Sequence, residues 1–428
     1  MLNAALKKTG LVALLASTVS MIAPPVAAEG TSISSLQAQI NALQTQITAM
    51  KAAADKQATS DIEVKWEPAP AIKSADGNFE MNMRGRLFID GGWVSDKDNT
   101  MDVKATEFRT ARIGIEGKAF KDVKYKFEAD LAGNEVDLKD AYLQVKGSAG
   151  KYTVGQFKTP NSLQEQTSSR YITFMERPSF TDAFSFGRQM GLGAGFGGSN
   201  WTLNAGVFRG SNATDAEDEG TTFAARATYS PKIGDGALHL GASTRFRDQG
   251  DDMGLLRYRQ RPHAHLSERF VATSKFANSD SFYGLEAAYV AGPFSIESEW
   301  GFVKADVDAP EVGQADPTFN GGYIDASYFI NGKRKYDAKK GVFGRPSVEA
   351  GAVQVGARYD YIDLNDEGYF GGKQTTYVVG VNYYLNKYAR LMVNYSHSNV
   401  KDAFDVSANG LDGANKVDAF GIRAQIDW

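Results

Sequence analysis

From Phe79 to Trp428 apolar and polar residues alternate with a period of two. In the run from Phe79 to Asp90 the odd positions are apolar or glycine and the even ones mostly polar, as in a strand with one apolar and one polar face. The pattern returns at Val123/Tyr125/Phe127/Ala129 against Lys124/Lys126/Glu128/Asp130, at Trp201/Leu203/Ala205/Val207, and late in the chain at Tyr377/Val379/Val381/Tyr383/Leu385. Such segments occupy 79–93, 107–120, 122–132, 137–147, 150–158, 189–197, 200–209, 221–231, 236–247, 281–292, 293–304, 321–331, 349–363, 373–386, 388–401 and 416–428, sixteen in all. Strands of about ten residues with aromatic ends have the dimensions of an outer-membrane barrel. The fold class expected is therefore all-β, a transmembrane antiparallel β-barrel of about sixteen strands.

An even-stranded barrel keeps both ends of the chain on one side, so tight turns and long external loops should alternate. Tight links fall at 120–122, 147–150, 197–200, 231–236, 291–293 and 386–387, and long ones at 94–106, 159–188, 210–220, 248–280, 305–320, 364–372 and 402–415. The polar stretch 332–348 breaks the rule: the count makes it a periplasmic link although it is long, so either it is a real periplasmic loop or the count is off by a hairpin. The third external loop, 159–188, has a middle, 162–176, compatible with a short helix, and in a wide barrel such a loop can fold inward.

Ahead of the barrel three short segments are expected. Residues 1–28 read as an export signal: Lys7 and Lys8, an apolar core from Leu11 to Ile22, then Val26-Ala27-Ala28 before cleavage at Glu29. In the segment 29–60, Ile33, Leu36, Ile40, Leu43, Ile47 and Met50 follow a 3-4-3-4-3 spacing, the seam of a short periplasmic coiled coil. Ile and Leu alternating on that seam favour two strands in parallel coiled coils; a single amphipathic helix lying on a surface is the alternative. Residues 61–78, with Trp66-Glu67-Pro68-Ala69-Pro70, read as a linker, leaving 79–428 as the barrel.

Composition removes whole classes of chemistry. The chain of 428 residues has no cysteine, which excludes disulfide scaffolds, thiolate metal sites and a thiol nucleophile. Four histidines, His239, His263, His265 and His397, leave no recognisable catalytic arrangement, and the pair His263-x-His265 lacks a third metal ligand. Neither enzymatic activity, nor a cofactor, nor a metal is expected. With 47 basic and 51 acidic residues the chain lacks the basic excess of a nucleic-acid partner. Mean hydropathy is -0.35, and past residue 30 no apolar run approaches the roughly 20 residues of a spanning helix.

Several blocks resemble one family. Gly155-Gln156-Phe157-Lys158-Thr159-Pro160, Thr167 to Arg177, Gly187-Arg188, Arg257 to Pro262, Gly356 to Asp366, Tyr384-Leu385-Asn386 and the closing Gly421 to Trp428 resemble the phosphate-selective porin O and P family, in the same order and over about 350 residues. The resemblance implies a sixteen-stranded, homotrimeric porin of the bacterial outer membrane, often preceded by a short coiled coil. It further implies a ladder of arginines guiding anions: Arg245, Arg247, Arg257, Arg259 and Arg261 fill that role here, spaced by two.

A pore prefers anions when cationic side chains replace part of the hydration shell at its constriction. Arginine offers phosphate a planar fork, lysine a point charge. Lys158, Arg170, Arg177 and Arg188 belong to the third loop, and alternation turns Arg84, Arg86, Arg112, Lys118, Lys124, Lys126 and Arg226 toward the lumen. Glu128, Asp130, Glu165 and Glu176 are near enough in pattern to neutralise them, leaving pathway and network both open. The function expected is passive diffusion of small anions, phosphate or polyphosphate among them, with the outer membrane and its lipopolysaccharide as surroundings. A general, weakly selective porin and a structural barrel tethered through the coiled coil are the alternatives.

Overall fold

Sixteen long antiparallel strands form in the order the alternation predicts, and the last pairs with the first. The computed structural model describes residues 33–58, 62–97, 101–209, 218–307, 309–404 and 413–428. The strands are β1 Glu80–Asp96, β2 Val103–Ala119, β3 Val123–Asp130, β4 Asp137–Lys146, β5 Lys151–Lys158, β6 Arg188–Gly197, β7 Trp201–Phe208 and β8 Thr221–Tyr229. They continue as β9 Gly236–Asp248, β10 Ala277–Ala291, β11 Phe294–Val307, β12 Thr318–Asp337, β13 Val342–Asp366, β14 Tyr369–Asn386, β15 Ala389–Ala403 and β16 Asn415–Asp427. A short lead-in hairpin, Glu63–Lys65 with Ala71–Lys73, lies on the foot of β1, where Ala71 faces Asn82.

Closure is direct. Val417 faces Asp96 and Asp427 faces Arg86, so β16 runs the length of β1. The amide of Trp428 donates to the carbonyl of Gly85 at 3.0 Å, and the Gly85 amide donates back to Trp428 at 3.1 Å. A Cβ on Gly85 would stand 2.2 Å from the Trp428 ring, so the seam closes only over a glycine. Gly85→Val should therefore impair barrel closure, seen as loss of the folded, heat-modifiable band on a gel; an unchanged folded fraction would show that the Trp428 ring can move aside.

The outward faces are apolar. Leu192 and Leu285 remain 64% and 67% exposed, with Phe108, Val154, Phe302 and Val379 also bare, a surface that only lipid can cover at this extent. The packed apolar core is instead inside the barrel. It joins Phe180 and Phe184 of loop L3 (159–187), Tyr258, Phe270 and Phe276 of loop L5 (249–276), and Phe282, Phe319 and Ile362 of the wall.

Two sequence readings need correction. The stretch 332–348 is no loose periplasmic link: β12 and β13 extend through it, with Gly332 facing Val348 and Tyr336 facing Phe343, and only 338–341 turns. Bulges after Ile330 and Lys333 let the hairpin bend into the lumen, which broke the alternation used to find it. In L3 the helical part is not continuous over 162–176; two short helices, Leu163–Gln166 and Ser179–Ala183, flank an irregular middle.

The N-terminal segment forms a helix, α1, over Ile33–Ala58, and it and the barrel are separate compact units. Every seam residue from Ile33 to Met50 is exposed. The export signal and its cleavage point lie outside the described residues, as do Asp215, Ala216 and Glu217 of the acidic external loop.

Candidate functional site: a basic constriction

L3 is drawn across the lumen by the wall it faces. At its start Glu299 of β11 accepts the amides of Leu163 and Gln164, both at 2.8 Å. Further along, wall side chains hold its carbonyls: Arg390 reaches Ile172 at 3.0 Å, Asn382 reaches Thr173 at 2.8 Å, Arg423 reaches Met175 at 2.6 Å and Arg358 reaches Glu176 at 2.9 Å. Asp360 then accepts the amide of Ser179 at 3.0 Å. An irregular loop leaves donors and acceptors unpaired, and inward-facing charges of β11–β16 satisfy them. L3 thus lines the β11–β16 side and leaves a gap against β1–β5.

That gap is a cavity of about 420 Å³. Ten cationic side chains and four carboxylates line it. Asp140 is shared by Arg188, at 2.8 Å, and Lys126. Glu165 is shared by Lys158 at 3.0 Å and Arg177 at 3.1 Å, and Glu176 by Arg109 and Arg423, both at 2.9 Å. Just beneath the surface Glu128 serves Arg84, Arg86 and Arg112 at 3.3, 3.1 and 3.3 Å. Each of these carboxylates fixes two or three cations; Glu116, Asp130 and Asp90 behind them also pair with Arg84, Arg112 and Arg423, so the excess of cations lies in the lining that faces the cavity. Burial alone would raise the Glu176 carboxyl, but Arg109 and Arg423 hold it well below the usual carboxylate range. Asp182, the fourth lining carboxylate, has no ion pair among the described residues.

The arginines spaced by two divide into groups with different surroundings. Arg245 and Arg247 of β9 both clasp Asp280 of β10, the former at 3.1 Å, and Arg245 also donates to the Phe184 carbonyl at 2.8 Å. They anchor L3 and the wall. Arg257, Arg259 and Arg261 lie on L5, on the side opposite Leu256, Tyr258 and Gln260, which are buried. None of the three has a carboxylate partner among the described residues; Arg261 donates only to the Ser267 carbonyl, at 2.7 Å. Partial burial and the neighbouring Arg257 and Arg261 push the Arg259 guanidinium below its ordinary value, as expected of stacked like charges. L5 meets L3 where His263 Nε2 stands 3.2 Å from the Ser179 hydroxyl, which sets the L5 cluster beside the constriction loop.

On the other side a second cavity, about 770 Å³, shares Tyr142, Thr153, Phe157, Lys158 and Gln166 with the first. Lys124, Lys146, Lys151, Lys339 and Lys340 line it together with Arg226, and no carboxylate does. Arg226 itself is buried, clasping Glu286 at 2.6 Å and the Gly341 carbonyl at 2.8 Å. It secures the inward hairpin, with Arg334–Glu297 at 2.7 Å and the Tyr336 hydroxyl against His239 at 2.5 Å. Arg170 lines the first cavity, 3.4 Å from Asp427.

Residues absent from the sequence reading include Arg109, Arg423, Lys339 and Lys340. Arg109 sits at a bulge opposite Phe88 and Ile89, which turns it and Thr110 inward together against the alternation. The basic run Lys333-Arg334-Lys335 and Lys339-Lys340 was the signal for the hairpin. The histidines do not converge: His263 faces Asp360 at 3.3 Å, His265 faces Glu107 at 2.9 Å, and His397 is on the outer face with Asp418.

Residues 81–428 match the phosphate-selective porin O and P family. The chain belongs to that family. Among curated relatives, an uncharacterized protein of Caulobacter vibrioides is 34% identical over 396 residues, covering 87% of this chain and 78% of its own. Porin O of Pseudomonas aeruginosa is 28% identical over 422 residues, covering 86% and 92%. Among solved structures, OmpT of Vibrio cholerae in a trimer form superposes with a TM-score of 0.52 at 14% identity, covering 82% of this chain and 99% of that one, a likeness of fold. This porin-family barrel is thus an outer-membrane fold with a basic constriction between L3 and β1–β5.

Proposed function

We propose that the barrel is a passive, anion-preferring diffusion channel, a homotrimer in the outer membrane, through which phosphate and polyphosphate pass. One observation carries this reading: Asp140, Glu165, Glu176 and Glu128 at the constriction are each shared by two or three cations, while among the described residues Arg257, Arg259 and Arg261 of L5 above have no carboxylate partner and, of the lysines below, only Lys340 has one, Asp337 at 3.2 Å. An anion entering at Arg257, Arg259 and Arg261 meets cationic partners through the constriction to Lys339 and Lys340. Arginine forks exchange for the anion's hydration shell, and the succession of sites keeps any one from holding it too long. No chemical step, cofactor or enzyme activity is part of the function. The name of the Pseudomonas aeruginosa relative, Porin O, supports the channel reading.

Phosphate preference is tested by titrating phosphate into chloride on one side of a planar bilayer. The expected result is progressive block of the chloride current at phosphate concentrations far below the chloride concentration. Unaltered chloride current would make the channel a general, weakly selective porin. The exposed seam of α1 supports a coiled coil between protomers, with residues 1–28 removed on export so that the mature chain starts at Glu29. Lipopolysaccharide is the lipid of the external rim in this reading.

A further inference from the structure

On the outer face of β14–β16, β1 and β2, four rows of side chains climb toward the long-loop end. The lowest is aromatic: Tyr395 faces Phe420, Phe420 faces Trp93, and Trp93 faces Lys104. The next joins Tyr377, His397, Asp418 and Ser95. Above it Lys416 meets Lys97, whose amide donates to the Lys416 carbonyl at 2.9 Å, and in the top row Lys373 faces Lys401. Like charges directly opposite across an antiparallel pair are destabilising, and here two such pairs stand on adjacent strands.

Of these four lysines only Lys373 gains a carboxylate among the described residues, Asp363. Asp418 is occupied by the Tyr395 hydroxyl at 2.6 Å and His397 at 2.8 Å, Asp102 accepts the Asp96 amide at 3.0 Å, and Asp363 holds Lys373 at 3.2 Å. Among the described residues of this rim Asp402 has no ion pair, and Lys97, Lys104, Lys401 and Lys416 are exposed and have none either. At the foot of the lysines an open groove of about 480 Å³ is lined by Trp93, Asp102, Lys104, Tyr395, Asp418 and Phe420 among others, both carboxylates engaged as described. The groove has an aromatic floor at bilayer-interface level and unpaired cations above it. Aromatic belts mark the interface of outer-membrane barrels, and basic clusters beside the apolar band attract anionic headgroups.

We propose that this face binds a phosphorylated outer-leaflet glycolipid, the phosphates of its lipid A part bridging Lys97 and Lys416 while its sugar and acyl region fills the groove over Trp93 and Phe420. The inference rests on the outer-membrane reading of the barrel. It is tested on full-length protein refolded free of lipopolysaccharide, by thermal unfolding with bisphosphorylated lipid A, dephosphorylated lipid A or inorganic phosphate. Bisphosphorylated lipid A should raise Tm and dephosphorylated lipid A should not, while any rise with inorganic phosphate, which the proposed pore binds, should be the same in parent and variant. The double variant Lys97→Ala/Lys416→Ala should bind lipid A about tenfold or more weakly and, without lipid, should unfold no lower than the parent because the repulsion is gone. A variant that keeps the full Tm rise with bisphosphorylated lipid A, or an equal rise with dephosphorylated lipid A, overturns the site. So does efficient disulfide formation between protomers in Lys416→Cys, clean to read in a chain without cysteine, since it would make this face a contact between copies. Conductance of the double variant in a bilayer separates the two readings: retained conductance keeps the porin whatever becomes of the lipid site.

Discussion

Alanine at Arg257, Arg259 and Arg261 together should lower the chloride-to-potassium permeability ratio by about tenfold, the scale on which a like-charged cleft concentrates its counter-ion. The folded yield should be unchanged, because these side chains bear no ion pair that folding needs and the buried positions between them stay intact. Single substitution at Arg259, the middle of the three, should produce a measurable part of the loss. By contrast, alanine at Arg245 should act on stability first, since it leaves Asp280 with one arginine fewer and frees the Phe184 carbonyl. Reversal potentials for the triple variant, with thermal unfolding of both, check the division. An unchanged permeability ratio in the triple variant would remove L5 from the anion path.

Arg423→Ala should unfasten the constriction. Arg423 and Asp90 are 3% and 4% exposed, and the guanidinium clasps both Asp90 oxygens at 2.7 Å while holding Glu176 at 2.9 Å and the Met175 carbonyl at 2.6 Å. Truncating it leaves Asp90 buried without its counter-ion, a change that costs about 3–5 kcal/mol in comparable buried pairs. The expected result is a lower Tm together with larger and noisier single-channel conductance as the middle of L3 detaches from the wall. Arg423→Lys keeps the charge but not the fork, so it should fall between the two. A lower Tm with unchanged conductance would mean that the anchors from Arg358 and Arg390 suffice to hold L3.

The strands were legible because a lipid-facing and a lumen-facing side force alternation, and all sixteen occur where the period of two put them. The helix over Ile33–Ala58 was legible for the same reason at its own period. What escaped were departures from the period. The bulge that turns Arg109 inward and those that bend the 332–348 hairpin into the lumen each shift the pattern by one residue, which hides the inward side chain. Pairing was hidden for another reason. Arg423 and Asp90 are 333 positions apart, joined only because the barrel closes. Likewise Arg245, Arg247, Arg257, Arg259 and Arg261 have one spacing in the sequence, and only the position of Asp280 separates the anchored pair from the exposed three. Net charge gave no view of the lining, because it does not tell acids buried against single arginines, such as Glu286, Glu297 and Asp325 against Arg226, Arg334 and Arg358, from those that face the cavity.

The reversal potential of the purified protein in a planar bilayer under a potassium chloride gradient tests the central claim most directly. Shared carboxylates at the constriction and unneutralised cations on both sides of it predict a potential of the sign set by chloride. A potential of the sign set by potassium would contradict the account, leaving the barrel and its family in place and the basic network as scaffolding alone.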